Sequence, residues 1–162
     1  MNKVKWGIIG SGNIAKAFAH SIKYCENSDL ISIFGRNEET VKQFSTKFGI
    51  KPYTNLEDFI SSNKIDAVYI ATPHSSHYTY SLEAIKNNKH ILCEKPLTMN
   101  YLESMTLLNL AKEAKVFLME AYMYRTHPQT FHILDHLDLF KNTQEKIFIE
   151  SCFGFSAELP KE

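Results

Sequence analysis

The chain has 162 residues, 44% hydrophobic and 22% charged, with 18 Lys and Arg against 18 Asp and Glu. That composition suits a globular domain with a real core, and the zero formal net charge leaves no basic stripe for nucleic acid and no polybasic anchor for a membrane. Cys25, Cys93 and Cys152 are too few and too scattered for a disulfide framework, and no stretch approaches the roughly 18 apolar residues of a membrane span. The apolar run near the N-terminus is too short for a signal peptide, so the expected location is the cytoplasm.

Apolar periodicity switches repeatedly between strand-like and helical spacing. A first strand is expected over about 4–10, then a helix with Ile14, Phe18, Ile22 and Cys25 on one face. Residues 30–34 read as a second strand ended by Gly35. Asn37 caps a helix with Val41, Phe44 and Phe48 inward and Gly49 as its stop. Asn55, with Asp58 three residues on, starts a short helix over Leu56, Phe59 and Ile60. A strand over 65–71 is broken by Thr72-Pro73, and Ser75 or Ser76 caps a helix with Tyr78, Leu82 and Ile85 inward. A short strand over 90–93 precedes Glu94-Lys95-Pro96; Thr98 opens a long helix to about Ala114, and 116–119 form one more strand. A helix over about 128–140 and an alternating strand over 145–155 complete the reading.

Alternation of this kind gives an α/β fold, a doubly wound parallel sheet covered on both faces. Ligands of such sheets sit outside the C-terminal strand ends, where Gly10, Gly35, Thr72-Pro73-His74 and Glu94-Lys95-Pro96 all fall. The first of these opens Gly10-Ser11-Gly12-Asn13-Ile14-Ala15, placed between a strand and a helix as the dinucleotide fingerprint requires. Gly10 permits the tight turn, Gly12 lets a pyrophosphate near the backbone, and the helix N-terminus offers free N–H groups to an anion. Where an NAD site usually places an acid after its second strand, this chain has Gly35-Arg36. A planar guanidinium can pair with a 2′-phosphate, so NADP is expected ahead of NAD; the plain alternative is a surface arginine.

Four motifs carry a family resemblance: Gly10-x-Gly12-x-x-Ala15, residues 71–77 (Ala-Thr-Pro-His-Ser-Ser-His), Glu94-Lys95-Pro96, and Glu120-Ala121-Tyr122-Met123-Tyr124-Arg125-x-His127-Pro128. Together they resemble the glucose–fructose oxidoreductase and inositol dehydrogenase family, nearest to its branch of dimeric dihydrodiol dehydrogenases and NADP-dependent aldose dehydrogenases. The resemblance implies a Rossmann domain, expected over 1–143, and a second, mostly antiparallel α+β domain of which 144–162 would be only the first strand. The family's next motif, Asp-x-Gly-x-His or Asp-x-Gly-x-Tyr, would lie beyond residue 162. The expectation is therefore a fragment, or a chain completed by another, and a homodimer for the complete protein. Left alone, the strand over 145–155 would have an unpaired edge.

The same resemblance implies site roles. Lys95 is the expected catalytic residue, its ammonium holding a substrate hydroxyl as hydride leaves, with desolvation lowering its pKa; a solvated surface lysine is the alternative. Glu94 is either a salt-bridge partner or an orienter of the nicotinamide, and Pro96 is a candidate for a cis bond. Thr72 and Pro73 are expected against the cofactor ribose. His74 and His77 line the cofactor pocket or act as structural caps; a metal held by them with Cys93 lacks a fourth ligand, and no metal is expected. Arg125 borders the nicotinamide or substrate, or pairs with Glu120 or Asp135. With Gly10, Ser11, Gly12, Asn13, Ile14 and Arg36, these form the expected cofactor set. The implied activity is NADP-dependent hydride transfer at a carbinol of a sugar, polyol or cyclic diol. A sugar-nucleotide dehydrogenase differs only in substrate; a nucleotide-sensing protein of the same fold, without turnover, is the reading from another class.

Overall fold

A computed structural model describes residues 3–139 together with 148, 150–152 and 154. The order is β1 (Val4–Ile9), α1 (Asn13–Ser21), β2 (Ser28–Phe34), α2 (Glu38–Phe48), β3 (Lys51–Tyr53) and α3 (Leu56–Ile60). There follow β4 (Ala67–Ile70), α4 (His77–Lys86), β5 (His90–Glu94), α5 (Tyr101–Ala114), β6 (Leu118–Ala121) and α6 (Pro128–Leu139). Short 3-10 turns cover Ile22–Tyr24, His74–Ser76 and Met123–Thr126. The strands form one parallel sheet in the order β3-β2-β1-β4-β5-β6, the doubly wound arrangement expected.

Successive strand residues face opposite ways, so the sheet makes two cores. Ile8, Ile33 and Tyr69 pack against Ala15 and Ala19 of α1 and Val41 and Phe44 of α2. Ile9, Phe34, Val68, Ile70, Ile91 and Cys93 meet Phe59 of α3, Ala84 and Ile85 of α4, and Leu107 of α5. Phe59 is wholly enclosed, so truncating it to alanine would cost about 3–5 kcal/mol.

Several local expectations need correction. The buried face of α1 is Ala15 and Ala19, with Ile22 in the turn that follows, while Ile14 and Cys25 are exposed. Small residues let the helix lie close to the sheet, and the change to a 3-10 turn at Ile22 swings Cys25 outward. Neither Ser75 nor Ser76 caps α4; Ser76 stands at its N-cap position without a side-chain cap bond, its hydroxyl turned to Thr72 Oγ1 (2.9 Å) and Pro73 O (2.8 Å). Buried on α4 are His77, Ser81, Ala84 and Ile85, with Tyr78 and Leu82 only partly covered. Thr98 does not open α5. Asn100 does, accepting from Glu103 N–H at 3.0 Å, while Thr98 is buried and donates to Asn100 O. The sixth strand begins two residues later than expected, at Leu118, and β3 had no counterpart in the sequence reading.

The chain divides after Tyr122 into two compact units. The first holds the sheet and α1–α5; the second holds the turn Met123–Thr126 and α6. Most of the strand expected over 145–155 lies outside the described residues, and the five that are described there belong to no strand.

Candidate functional site

Strand register sets the site. Ile9 lies beside Phe34 and Ile70, Phe34 beside Tyr53, Ile70 beside Cys93, and Cys93 beside Glu120. The residues just past this row therefore share one edge of the sheet: Gly10, Gly35-Arg36, Ala71-Thr72 and Glu94-Lys95. The order of the sheet reverses between β1 and β4, which opens a crevice at that edge.

The crevice is a cleft of about 390 Å³, and it brings together Gly10, Ser11, Gly12, Arg36, Thr72 and Pro73. Gly10 has φ +108°, and a Cβ there would lie 2.5 Å from the Ala71 carbonyl oxygen. Only glycine accepts both the backbone angle and that approach. Gly12 differs: a Cβ there would meet nothing within 4 Å. Packing does not require a glycine at this position, so the bare backbone opens on space that a ligand can use. Gly12 is also the N-cap of α1, which has no side-chain cap and no acid in its first turn. Its leading N–H groups are thus uncapped by side chains at the positive end of the helix dipole, the arrangement that receives a pyrophosphate. The donor set fits a dinucleotide.

At the end of β2, Arg36 is exposed, and among the described residues no hydrogen bond or ion pair holds its guanidinium. Beside it, Asn37 Oδ1 accepts from Thr40 N–H at 3.0 Å and caps α2 as expected. Ser11 Oγ donates to Thr40 Oγ1 at 3.2 Å and ties the glycine turn to α2. Asn37, Thr40, Ser76 and Tyr80 also line the cleft and were not among the expected cofactor residues. For Asn37 and Thr40 the signal was available, since residues in the first turn after β2 share its edge.

The other expected residues of the first unit do not line this cleft. Asn13 and Ile14 begin α1 and are exposed. Glu94 and Lys95 lie at the next strand end. Tyr69 OH donates to Glu94 Oε1 at 2.5 Å, and Lys95 N–H approaches Glu94 Oε2 at 3.3 Å. Burial, then the Glu94 carboxylate, holds the Tyr69 phenol above its ordinary 10, so it remains a donor. Lys95 precedes a cis bond to Pro96. Its side chain is exposed, so the described residues do not supply the desolvation expected for it.

His74 is exposed, its ring 5.6 Å from that of His77. His77 is fully buried, with Nδ1 2.8 Å from Pro96 O and Nε2 3.0 Å from Thr72 O. Both ring nitrogens face carbonyl oxygens, so neither is directed at a metal, and the ring lies between two loops and does not line the cleft. Burial pushes the Cys93 thiol up to about 12, and its Sγ lies 3.8 Å from Leu97 O. Glu120 accepts Leu97 N–H at 2.7 Å. Arg125 is exposed in the second unit, on the turn Met123–Thr126. Among the described residues, no three His, Cys, Asp or Glu side chains group as metal ligands, and no helix is long and apolar enough to cross a membrane.

The chain is similar to known proteins. Oxidoreductase P35 of Formosa agariphila is 38% identical over 139 residues, covering 85% of this chain and 43% of the relative. The D-xylose 1-dehydrogenase (NADP(+)) of Hypocrea jecorina is 30% identical, covering 80% and 37%. Among solved structures, KijD10, a 3-ketoreductase of Actinomadura kijaniata in complex with NADP and TDP-benzene, superimposes with a TM-score of 0.80 at 29% identity, covering 85% and 43%. The chain thus spans less than half the length of these relatives. A family model described as an oxidoreductase family with an NAD-binding Rossmann fold matches residues 4–122, and the chain belongs to that family, GFO/IDH/MocA.

Proposed function

We propose that this chain is the cofactor-binding part of an NADP-dependent oxidoreductase that moves hydride at a carbinol of a sugar, polyol or cyclic diol. The observation that carries the proposal is the cleft itself, with the open backbone at Gly12 and an exposed Arg36 where an acid would read a ribose hydroxyl. The NADP named for the Hypocrea enzyme and present with KijD10 supports the same choice. A bound nicotinamide would supply the hydride acceptor or donor.

The residues divide the work by position. The turn from Gly10 to Asn13 would hold the pyrophosphate at the start of α1, and Arg36, with Ser11 and Thr40 nearby, the 2′-phosphate. Thr72 and Pro73 would face the ribose. Lys95 would hydrogen-bond the substrate oxygen and favour its alkoxide, with Glu94 fixed beside it by Tyr69. Residues 144–162 would begin a second domain that helps bind substrate and carries a homodimer contact.

The test is steady-state NADP-dependent turnover of polyols and aldoses by the whole protein and by Lys95→Met. The expected result is a fall in kcat of orders of magnitude with cofactor affinity kept, because the lysine acts mainly as charge forms on oxygen. Unchanged kcat removes Lys95 from the chemistry. Tight NADPH binding with no turnover of any such substrate favours a nucleotide sensor instead.

A further inference from the structure

His77 presents both ring nitrogens to atoms that can only accept. Nδ1 lies 2.8 Å from Pro96 O and Nε2 3.0 Å from Thr72 O, and the ring is wholly shielded from solvent. A neutral imidazole carries one N–H and would turn a lone pair on the second carbonyl; only the imidazolium donates to both. We propose that His77 is a positioning residue, doubly protonated when both loops are in place, whose imidazolium clamps the loop after β4 to the loop after β5.

The two ends of the clamp give it consequence. Thr72 lines the cofactor cleft, and Pro96 follows Lys95. The spacing between the ribose-facing turn and the lysine at the next strand end therefore passes through one buried ring. Both acceptors are backbone carbonyls, which fixes main chain on each side rather than a mobile side chain.

The surroundings show what opposes and supports the charge. Complete burial works against a cation at His77, and so does the positive end of α4, which His77 begins. The His74 ring, 5.6 Å away, adds repulsion whenever it is itself protonated. On β5 the buried Cys93 thiol is neutral, and Glu94 is turned to Tyr69. Glu103 of α5 takes Met99 N–H, and Glu120 of β6 takes Leu97 N–H, one residue beyond Pro96. Among the described residues, no carboxylate bonds the ring, so the carbonyl dipoles carry the stabilisation. Loss of one proton sets a lone pair against an oxygen at hydrogen-bond distance, and one of the two loops is released. Cofactor affinity then falls as pH rises through that step, an effect that rests on the cofactor reading above.

The test uses the 162-residue chain labelled with nitrogen-15. Long-range proton–nitrogen spectra distinguish the imidazolium from either neutral tautomer, and backbone spectra follow residues 72–76 and 95–97 in the same samples. The expected result is two protonated ring nitrogens while both loops hold their positions, then loop shifts that track the loss of one proton. A single N–H on His77 with both loops unmoved overturns the proposal. In NADPH titrations, His77→Gln should bind roughly tenfold more weakly, the worth of one hydrogen bond, and lose the wild-type pH dependence. A variant that keeps the wild-type pH profile overturns the positioning role. Should the wild type bind no NADPH, the cofactor reading fails, while the ring and loop spectra still decide the clamp; they also decide it should His77→Gln not fold.

Discussion

Adding one methyl group at Gly10 or at Gly12 should have opposite effects, although the two residues sit on the same turn. At Gly10 the new Cβ lies 2.5 Å from Ala71 O and 2.9 Å from Ala71 C, at φ +108°. Backbone strain of about 1–3 kcal/mol and overpacking of about 1–3 kcal/mol give a loss on the order of 2–6 kcal/mol. Against a typical domain stability of about 5–15 kcal/mol, that is a large fraction. At Gly12 the methyl meets nothing within 4 Å, and φ is −71°. The poorer N-cap costs up to about 1 kcal/mol, and the stiffer unfolded chain returns about 0.4–1 kcal/mol, so stability should barely move. The methyl nonetheless occupies the approach of a pyrophosphate to the α1 amides. Losing one charged hydrogen bond, about 1.5–3 kcal/mol, weakens binding roughly ten- to a hundredfold. Urea unfolding and NADPH fluorescence titration measure the two quantities separately. Gly12→Ala that folds and binds NADPH like wild type would refute the reasoning, as would Gly10→Ala with an unchanged unfolding midpoint.

Three further outcomes follow from single side chains. Calorimetric titration should show NADPH bound about ten- to a hundredfold tighter than NADH, with the difference lost in Arg36→Ala, the scale of a charge-assisted phosphate contact; equal affinities in the wild type would contradict it. A thiol reagent at neutral pH should modify the exposed Cys25 and Cys152 and spare Cys93, which is fully buried with its thiol pushed up to about 12, until denaturant is added. Lys89 Nζ donates to Ser62 O at 2.7 Å and Ile65 O at 2.9 Å, so Lys89→Met should lower the urea midpoint by leaving two carbonyls without their donor. Burial lowers the Lys89 ammonium from its ordinary 10.5, against the pull of Asp66. Between the two values the unfolded chain holds the extra proton, so the stability of wild type relative to Lys89→Met should rise with pH up to about 10.5 and then level.

Strand and helix periodicity was enough to place the sheet and its C-terminal edge, because β1, β2 and β4 are apolar runs bounded by Gly10, Gly35 and Thr72-Pro73. It missed β3, whose three residues Lys51-Pro52-Tyr53 carry no period and include a proline that only an edge strand tolerates. It read α1 only in part: Phe18 and Ile22 pack inward as expected, but Ile14 and Cys25 are exposed, and Ala15 and Ala19 complete the inner face. Bulk is a poor guide where a helix must lie close to a sheet. The glycine turn, Arg36 and Thr72-Pro73 were legible as one cleft because register alone brings them together. The partners of His77 were not. Its place three residues after His74 left pocket lining and a structural cap both open, and its two carbonyl partners, Thr72 and Pro96, are 5 and 19 residues away along the chain.

Occupancy of the cleft between β1, β2 and β4 by a dinucleotide decides whether this chain binds a cofactor. Its most direct test is titration of the nitrogen-15-labelled 162-residue chain with NADPH, read residue by residue. Saturable one-to-one binding should shift Gly10 through Asn13, Arg36, Thr40 and Thr72 together, and should leave the opposite end of the sheet around Cys25 and Ser62 unchanged. No binding, or shifts confined to residues away from that turn, would contradict it.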